Sequence, residues 1–389
     1  MVAHSNLTAP GLVEMNKKAP QSDRIETFAE LVWRRFRKHK MALISAVILV
    51  ILGLISLFAG AIESILGVSH EIASLDIVNL DYGWPHILGT NELGQDVFTR
   101  LIYGGRISLS VGIVSAVTSA LIGAFTGLLA GYYGGLTDSI LMRFTDAMLS
   151  VPVLPLMIVF AALDLDALFG TSNPTAAAIM CAVIAVSVIC YRYASVARGK
   201  SDQSHSFGRN IVDGVIVGCF LFAGYFLLFR VVDWKAVGSG NLSSVIKLTL
   251  IIVFFGWMTV ARLARAAAMQ LKSMEFVTAA RALGASNNRI LLVHILPNAL
   301  APIIVSATLE VGGNILYEAS LSFLGLGIQP PVSSWGNMLN NAVDYIKTTP
   351  MLAFWPGFLI LVTVACFNFF GDGMRDALDP HQVMKSGEE

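Results

Sequence analysis

Eight apolar runs, separated by short polar or basic stretches, constrain this chain more than any other feature. They are 41–60, 107–131, 146–163, 176–191, 214–232, 243–261, 298–323 and 352–371. A helix needs roughly 17–25 apolar residues to cross the hydrocarbon core of a bilayer. Inside lipid the backbone has no water to bond with, so each run must satisfy its own amides as a helix. The pair 176–191 and 214–232 is short or interrupted. Composition agrees with the pattern: 55% of the 389 residues are hydrophobic, 13% are charged, and the mean hydropathy is +0.70. Soluble domains are about 45–50% apolar and about 25% charged. The expected fold class is an all-α polytopic membrane protein.

Orientation follows from Lys and Arg, which favour the cytoplasmic side. A basic collar, WRRFRKHK at 33–40, directly precedes the first run. That run exceeds the h-region of a signal peptide, about 7–15 residues, and no small-residue cleavage site follows it, so it reads as an uncleaved first span. Threading the runs alternately puts 61–106, 164–175, 233–242 and 324–351 outside and both termini in the cytoplasm. Inner loops then carry Arg143; Arg192, Arg198, Lys200 and Arg209; and Arg262, Arg265, Lys272, Arg281 and Arg289. Arg100, Arg106, Arg230 and Lys235 fall outside, so the bias is clear but not absolute. Residues 1–26 are polar and aperiodic, as in a loose tail.

Several function classes drop out. The net charge of zero gives no broad field for nucleic acid. Cys181, Cys190, Cys219 and Cys366 lie in apolar runs without metal-ligand spacing, so no metal or disulfide is expected. ASVARGKS at 194–201 fits a loose phosphate-loop pattern, but it follows an apolar helix and has one Gly. A working cradle sits between a strand and a helix; Lys200 is better read as a positive-inside residue. Asp164 and Asp166 lack further carboxylates for calcium. No nucleophile stands with a base, so no enzyme active site is expected.

Three segments carry the functional readings. In 107–131, Ser115, Ser119, Gly123, Gly127 and Gly131 recur every fourth residue, with Gly112, Ala116, Ala120 and Ala124 alongside. Such a stripe lets membrane helices approach closely. The polar island EFVTAARALGASNNRILLVHILP, 275–297, reads as two short helices with an elbow. Phe276, Val277, Ala280 and Leu283 lie near one face of the first, Gly284 terminates it, and Ser286 can cap the second at Asn287. Pro297 then breaks or reorients the chain. Small Ala279, Ala280 and Gly284 would let a partner surface sit close. Equally, Arg281 and Arg289 would hold the island on anionic lipid. His294 stands alone in the island, an arrangement that is more often interfacial than functional. In 298–323, Ser306, Glu310, Asn314, Glu318 and Ser322 form one slowly drifting polar face. Ionisable groups at bilayer depth face a cavity or a partner. One reading is a pathway lining; the other is hydrogen bonding between helices, with Glu318 snorkelling or protonated.

The island resembles the cytoplasmic "EAA" docking loop of permeases from ATP-driven importers. LGTNELGQDVFTRLIYGGRISLSVG (88–112), AGYYGGLTDSILMRFTDAMLSVP (130–152) and EASLSFLGLGIQPPVSSWGNML (318–339) narrow the resemblance to the dipeptide/oligopeptide/nickel permease family, C-type subunit. It covers most of 30–163 and 243–380. The resemblance implies the transmembrane fold of a type I ABC importer, with a six-helix core and an inserted pair of helices near 164–242. The domain plan is then a cytoplasmic tail with basic collar (1–40), a first transmembrane helix (41–62), an external segment (63–106), the transmembrane domain (107–372) and a cytoplasmic C-terminal tail (373–389).

By the same resemblance, Glu275, Thr278, Ala279, Ala280, Arg281, Gly284, His294 and Pro297 couple to a separate ATPase, and 324–351 covers the pore mouth. The family often has Glu where Thr278 stands, which removes one possible salt bridge. Expected partners are a homologous second permease, one or two ATPase subunits carrying ATP and magnesium, an extracytoplasmic solute-binding protein and membrane lipid. No cofactor is expected on this chain. The expected solute is a di- or oligopeptide, with a nickel chelate or other small peptide-like solute as alternative. The expected location is the bacterial cytoplasmic (inner) membrane. The competing class is an ion- or proton-coupled secondary transporter or channel that uses Glu310 or Glu318.

Overall fold

Apolar runs become helices wherever the computed structural model describes them, at residues 28–70, 72–150, 152–162 and 243–378. The insertion, the runs 176–191 and 214–232, the 194–201 motif, Asp164, Asp166, Cys181, Cys190 and Cys219 lie outside the described residues. In chain order the helices are α1 (Phe28–Lys38), α2 (Lys40–Leu57), α3 (Ala59–Leu66), α4 (Val97–Tyr133), α5 (Gly135–Ser150), α6 (Val153–Ala162) and α7 (Ser243–Lys272). There follow α8 (Glu275–Ala282), α9 (Leu296–Phe323), α10 (Trp335–Ala342) and α11 (Met351–Leu378). Five are long and apolar enough to cross a membrane, or six if α5 and α6 make one bent span.

Sequence boundaries shift where local chemistry intervenes. The 107–131 helix starts ten residues early, at Val97, because the Asp96 side chain accepts the Thr99 amide at 2.7 Å and caps it. Arg100 therefore leaves the external loop and lies buried on α4, donating to Gln95 Oε1 at 2.5 Å. The run 146–163 is not one straight helix. It breaks before Pro152, and α5 and α6 meet at 86°, since proline disfavours helix at the residue before it and lacks an amide donor. The basic collar is helical: α1 buries Phe36 against Phe370 of α11, ring centroids 5.5 Å apart. The last helix runs through 373–378, a segment expected to be tail.

Packing centres on α4. The Gly stripe meets α7, where a Cβ on Gly123 or Gly131 would sit 2.5 or 2.6 Å from the carbonyl oxygens of Trp257 and Arg265. Gly127 is closer still to the Ala261 carbonyl. Ala261, Ala264 and Ala268 supply the small residues on α7. Gly123 faces Val260 and Gly131 faces Ala268, so the two helices run parallel. The chain between them must therefore return to the end where α4 began. Ser108 meets Glu318 and Gly112 meets Ile315, so α9 runs antiparallel to α4. By Gly371 against Leu309, α11 again opposes α9, and Gly373 packs on Ala42 of α2. By contrast, α2 faces outward: its apolar window has hydropathy 2.5 yet only 17% of it is buried, against 56% for α4 and α7.

These directions gather the 275–297 loop, α1 and the C-terminal ends of α4 and α11 at one end, the loop end. At the far end, α3, the N-terminus of α4 and α10 come together. There Tyr103 of α4 donates to Glu63 Oε2 at 2.6 Å, and the His70 amide donates to Glu63 Oε1 at 3.0 Å. The His70 ring stacks on Tyr103 at 3.6 Å.

Candidate functional site

The island folds as two short helical pieces with an elbow. Helix α8 ends in two reverse bonds: the Gly284 amide reaches the Arg281 carbonyl and the Ala285 amide the Ala280 carbonyl, each at 3.0 Å. Gly284 takes φ +82°, the left-handed conformation this terminator needs. The second piece begins at Asn287 as expected, but the Ser286 side chain makes no capping bond. It runs through a π-helical segment, Ile290–Ile295, straight into α9. Pro297 does not break the chain: the wider π turn directly before it carries the helix past its ring and missing amide.

Burial separates seat from surface. Val277 is 0% exposed, packed with Ile290, Leu291 and Ile295 against Leu128 and Tyr132 of α4 and Ala264 and Ala268 of α7. Phe276, Ala280 and Leu283 lie along one face, as their spacing requires, but that face is open, Phe276 41% and Leu283 89% exposed, and the residue turned inward is Val277. Glu275, Thr278, Ala279, Arg281 and Gly284 are exposed, and Ala280 and His294 half-buried. Thr278 donates its hydroxyl to the Glu275 carbonyl at 2.8 Å, so its proton is already used within the helix.

Anchors that the sequence pattern missed hold this seat. Lys272 Nζ donates to the Tyr132 carbonyl at 2.5 Å, and the Tyr132 hydroxyl donates to Asn287 Oδ1 at 2.8 Å. Arg265 grips Asp138 with two nitrogens, Nη2 to Oδ2 at 2.7 Å, and Arg262 pairs with Asp146, tying α5 to α7. Each partner lies more than a hundred residues away in the chain, beyond the reach of local periodicity.

The polar face of α9 divides along its length. Ser306 and Glu310 are half-buried, and both Glu310 carboxylate oxygens are shielded with no hydrogen-bond partner among the described residues. Asn314 is buried, and its Nδ2 likewise has none. Glu318, 0% exposed, accepts the Ser108 hydroxyl of α4 and the Ser322 hydroxyl of α9, each at 2.8 Å. Those serines accept in turn the amides of Trp335, at 3.3 Å, and Ile328, at 3.1 Å. Glu318 is thus the hub that fixes the far-end segment to α4 and α9. The Trp335 indole donates to the Leu101 carbonyl at 3.0 Å and fills the space left by Gly104 and Gly105. The 324–351 segment, expected as a loop, contains α10, closed by a reciprocal Ser334–Asn337 capping box.

Residues 123–383 match the family described as binding-protein-dependent transport system inner membrane component. Residues 27–65 match the N-terminal TM domain of oligopeptide transport permease C. Among curated relatives, the oligopeptide transport system permease protein OppC of Bacillus subtilis is 29% identical, over 93% of this chain and 94% of its own length. The dipeptide transport system permease protein DppC of Alkalihalophilus pseudofirmus is 33% identical over 90% and 88%. The glutathione transport system permease protein GsiD of Escherichia coli is 32% identical over 92% of each chain.

Proposed function

Because the chain belongs to the family of binding-protein-dependent transport system inner membrane components, we propose that it is the C-type permease subunit of an ATP-driven peptide importer, coupled to separate ATPase chains through 275–297. The observation that carries this is the seat of α8. One buried valine fixes the helix to α4 and α7, while Glu275, Phe276, Thr278, Ala279, Arg281 and Leu283 stand open. The open side carries an apolar strip of Phe276, Ala279, Ala280 and Leu283 flanked by Glu275 and Arg281, a surface suited to a protein groove; family membership favours that occupant over lipid. Ala279, Ala280 and Gly284 allow a groove to close around it.

The loop end is then cytoplasmic, with ATP and magnesium on the partner ATPase. A second permease completes the pore, and a solute-binding protein meets the far end. The peptide assignment is supported by relatives named for oligopeptides, dipeptides and glutathione, which disfavour the nickel-chelate alternative. Family membership also sets aside a self-sufficient secondary transporter. Ser306, Glu310 and Asn314 are the pathway candidates, because Glu310 and Asn314 carry polar atoms that nothing described satisfies. Glu318, fully engaged by serines, is structural. The test is reconstituted uptake of a labelled di- or oligopeptide by the purified complex. ATPase chains should co-purify and vanadate should abolish uptake; uptake that persists without ATP and follows a proton gradient would overturn the proposal.

A further inference from the structure

We infer that Tyr132 is the joint through which movement of the docking loop reaches α4, a role that rests on reading 275–297 as the ATPase dock. Among the described residues one hydrogen bond joins 275–297 to α4, and it ends on Tyr132; the last residue of α7, Lys272, bonds the same residue. Its hydroxyl donates to Asn287 Oδ1 at 2.8 Å, at the first turn beyond the elbow. Its carbonyl, in the last turn of α4, accepts Lys272 Nζ at 2.5 Å. That carbonyl has no partner within its own helix, and a cation there also meets the negative end of the helix dipole. The Lys272 ammonium lies 5.6 Å from the centre of the Tyr132 ring.

Tyr132 is 4% exposed and belongs to the cluster that buries Val277, Ile290 and Leu291. One residue therefore bonds the end of α7 and the start of the chain into α9, and lies in the cluster that seats α8. The other contacts of the loop with α4, such as Leu128 and Ala124, are apolar. Apolar contacts resist separation but give little resistance to sliding; a hydrogen bond fixes direction as well as distance. If Tyr132 only filled space, its hydroxyl would be dispensable.

Tyr132→Phe keeps the ring and removes that hydroxyl alone, so folding should survive; size exclusion and thermal unfolding check it. With ATPase chains still co-purifying, peptide carried per ATP hydrolysed should fall about fivefold, the scale of one lost hydrogen bond. Asn287→Ala should produce a similar fall, and the double variant should be no worse than either single, as for two halves of one interaction. Wild-type coupling in Tyr132→Phe, or additive losses in the double variant, would overturn the joint. Failure of the ATPase chains to co-purify with the wild-type protein would instead sink the docking reading itself.

Discussion

At Gly284 the backbone adopts φ +82°, a conformation that costs a residue with a Cβ about 1–2 kcal/mol. Gly284→Val should weaken ATPase association about tenfold while leaving the protein in the membrane. Asn, which tolerates this conformation, should retain most of it; co-purification measures both. Within this chain nothing lies within 4 Å of a Cβ there, so Val meets backbone strain and the partner surface but no clash inside the permease. The elbow was legible because a helix terminator is a local property of a few residues. The seat was not, because whether Val277 or Leu283 faces inward depends on where α4 and α7 stand. Glu318 makes the same point. A four-residue repeat drifts about 40° per step around a helix, so Ser306 and Ser322 point to nearly opposite sides although they read as one line. Glu318→Ala removes the acceptor of two serine hydroxyls at a fully buried site. It should cost about 2 kcal/mol, seen as earlier thermal unfolding in detergent, with Glu318→Gln milder.

Between elements, α4 approaches α7 closely at three successive glycines, Gly123, Gly127 and Gly131. Gly127→Leu has no room against the Ala261 carbonyl and should destabilise by about 2 kcal/mol or separate the helices. Gly53→Ala, on outward-facing α2 with nothing within 4 Å, should be neutral or slightly stabilising by the same thermal measurement. The four-residue spacing of small residues disclosed this contact in advance, because close backbone approach has few other chemical solutions in lipid. The break before Pro152 was hidden, since hydropathy averages over a proline. At the far end, burial alone would raise the Glu63 pKa, but hydrogen bonds from Tyr103 and His70 outweigh it and hold the carboxyl below its usual value. A depressed folded pKa contributes stability that is present above the unfolded pKa and lost as pH falls through the folded one. Docking of α3 on α4 should therefore loosen only below the ordinary carboxylate range. Tyr103→Phe should move that acid transition upward, as read by hydrogen exchange in 59–70.

At the scale of the molecule, the order and relative directions of the described spans were legible, because apolar length is imposed by the bilayer itself and successive spans alternate. The division of labour along α9 and the bonds on Tyr132 were not, because they join residues far apart in sequence. One length has a mechanical consequence. At 1.5 Å per residue, the 37 residues of α4 span about 55 Å, beyond the hydrocarbon core of about 30 Å. Its contact with α7 is not a point: Gly123, Gly127 and Gly131 all meet it, and the Ser119 hydroxyl reaches the Val253 carbonyl further along. Two helices keyed over that many turns resist pivoting and move together as one stiff strut. Tyr132 stands at one tip of the strut, and Trp335 and the Glu318 hub are fastened near the other. Spin labels at the two tips, compared with and without trapped nucleotide, should show displacements of similar size in the same sense; displacements in opposite senses would mean that α4 rocks about its glycines.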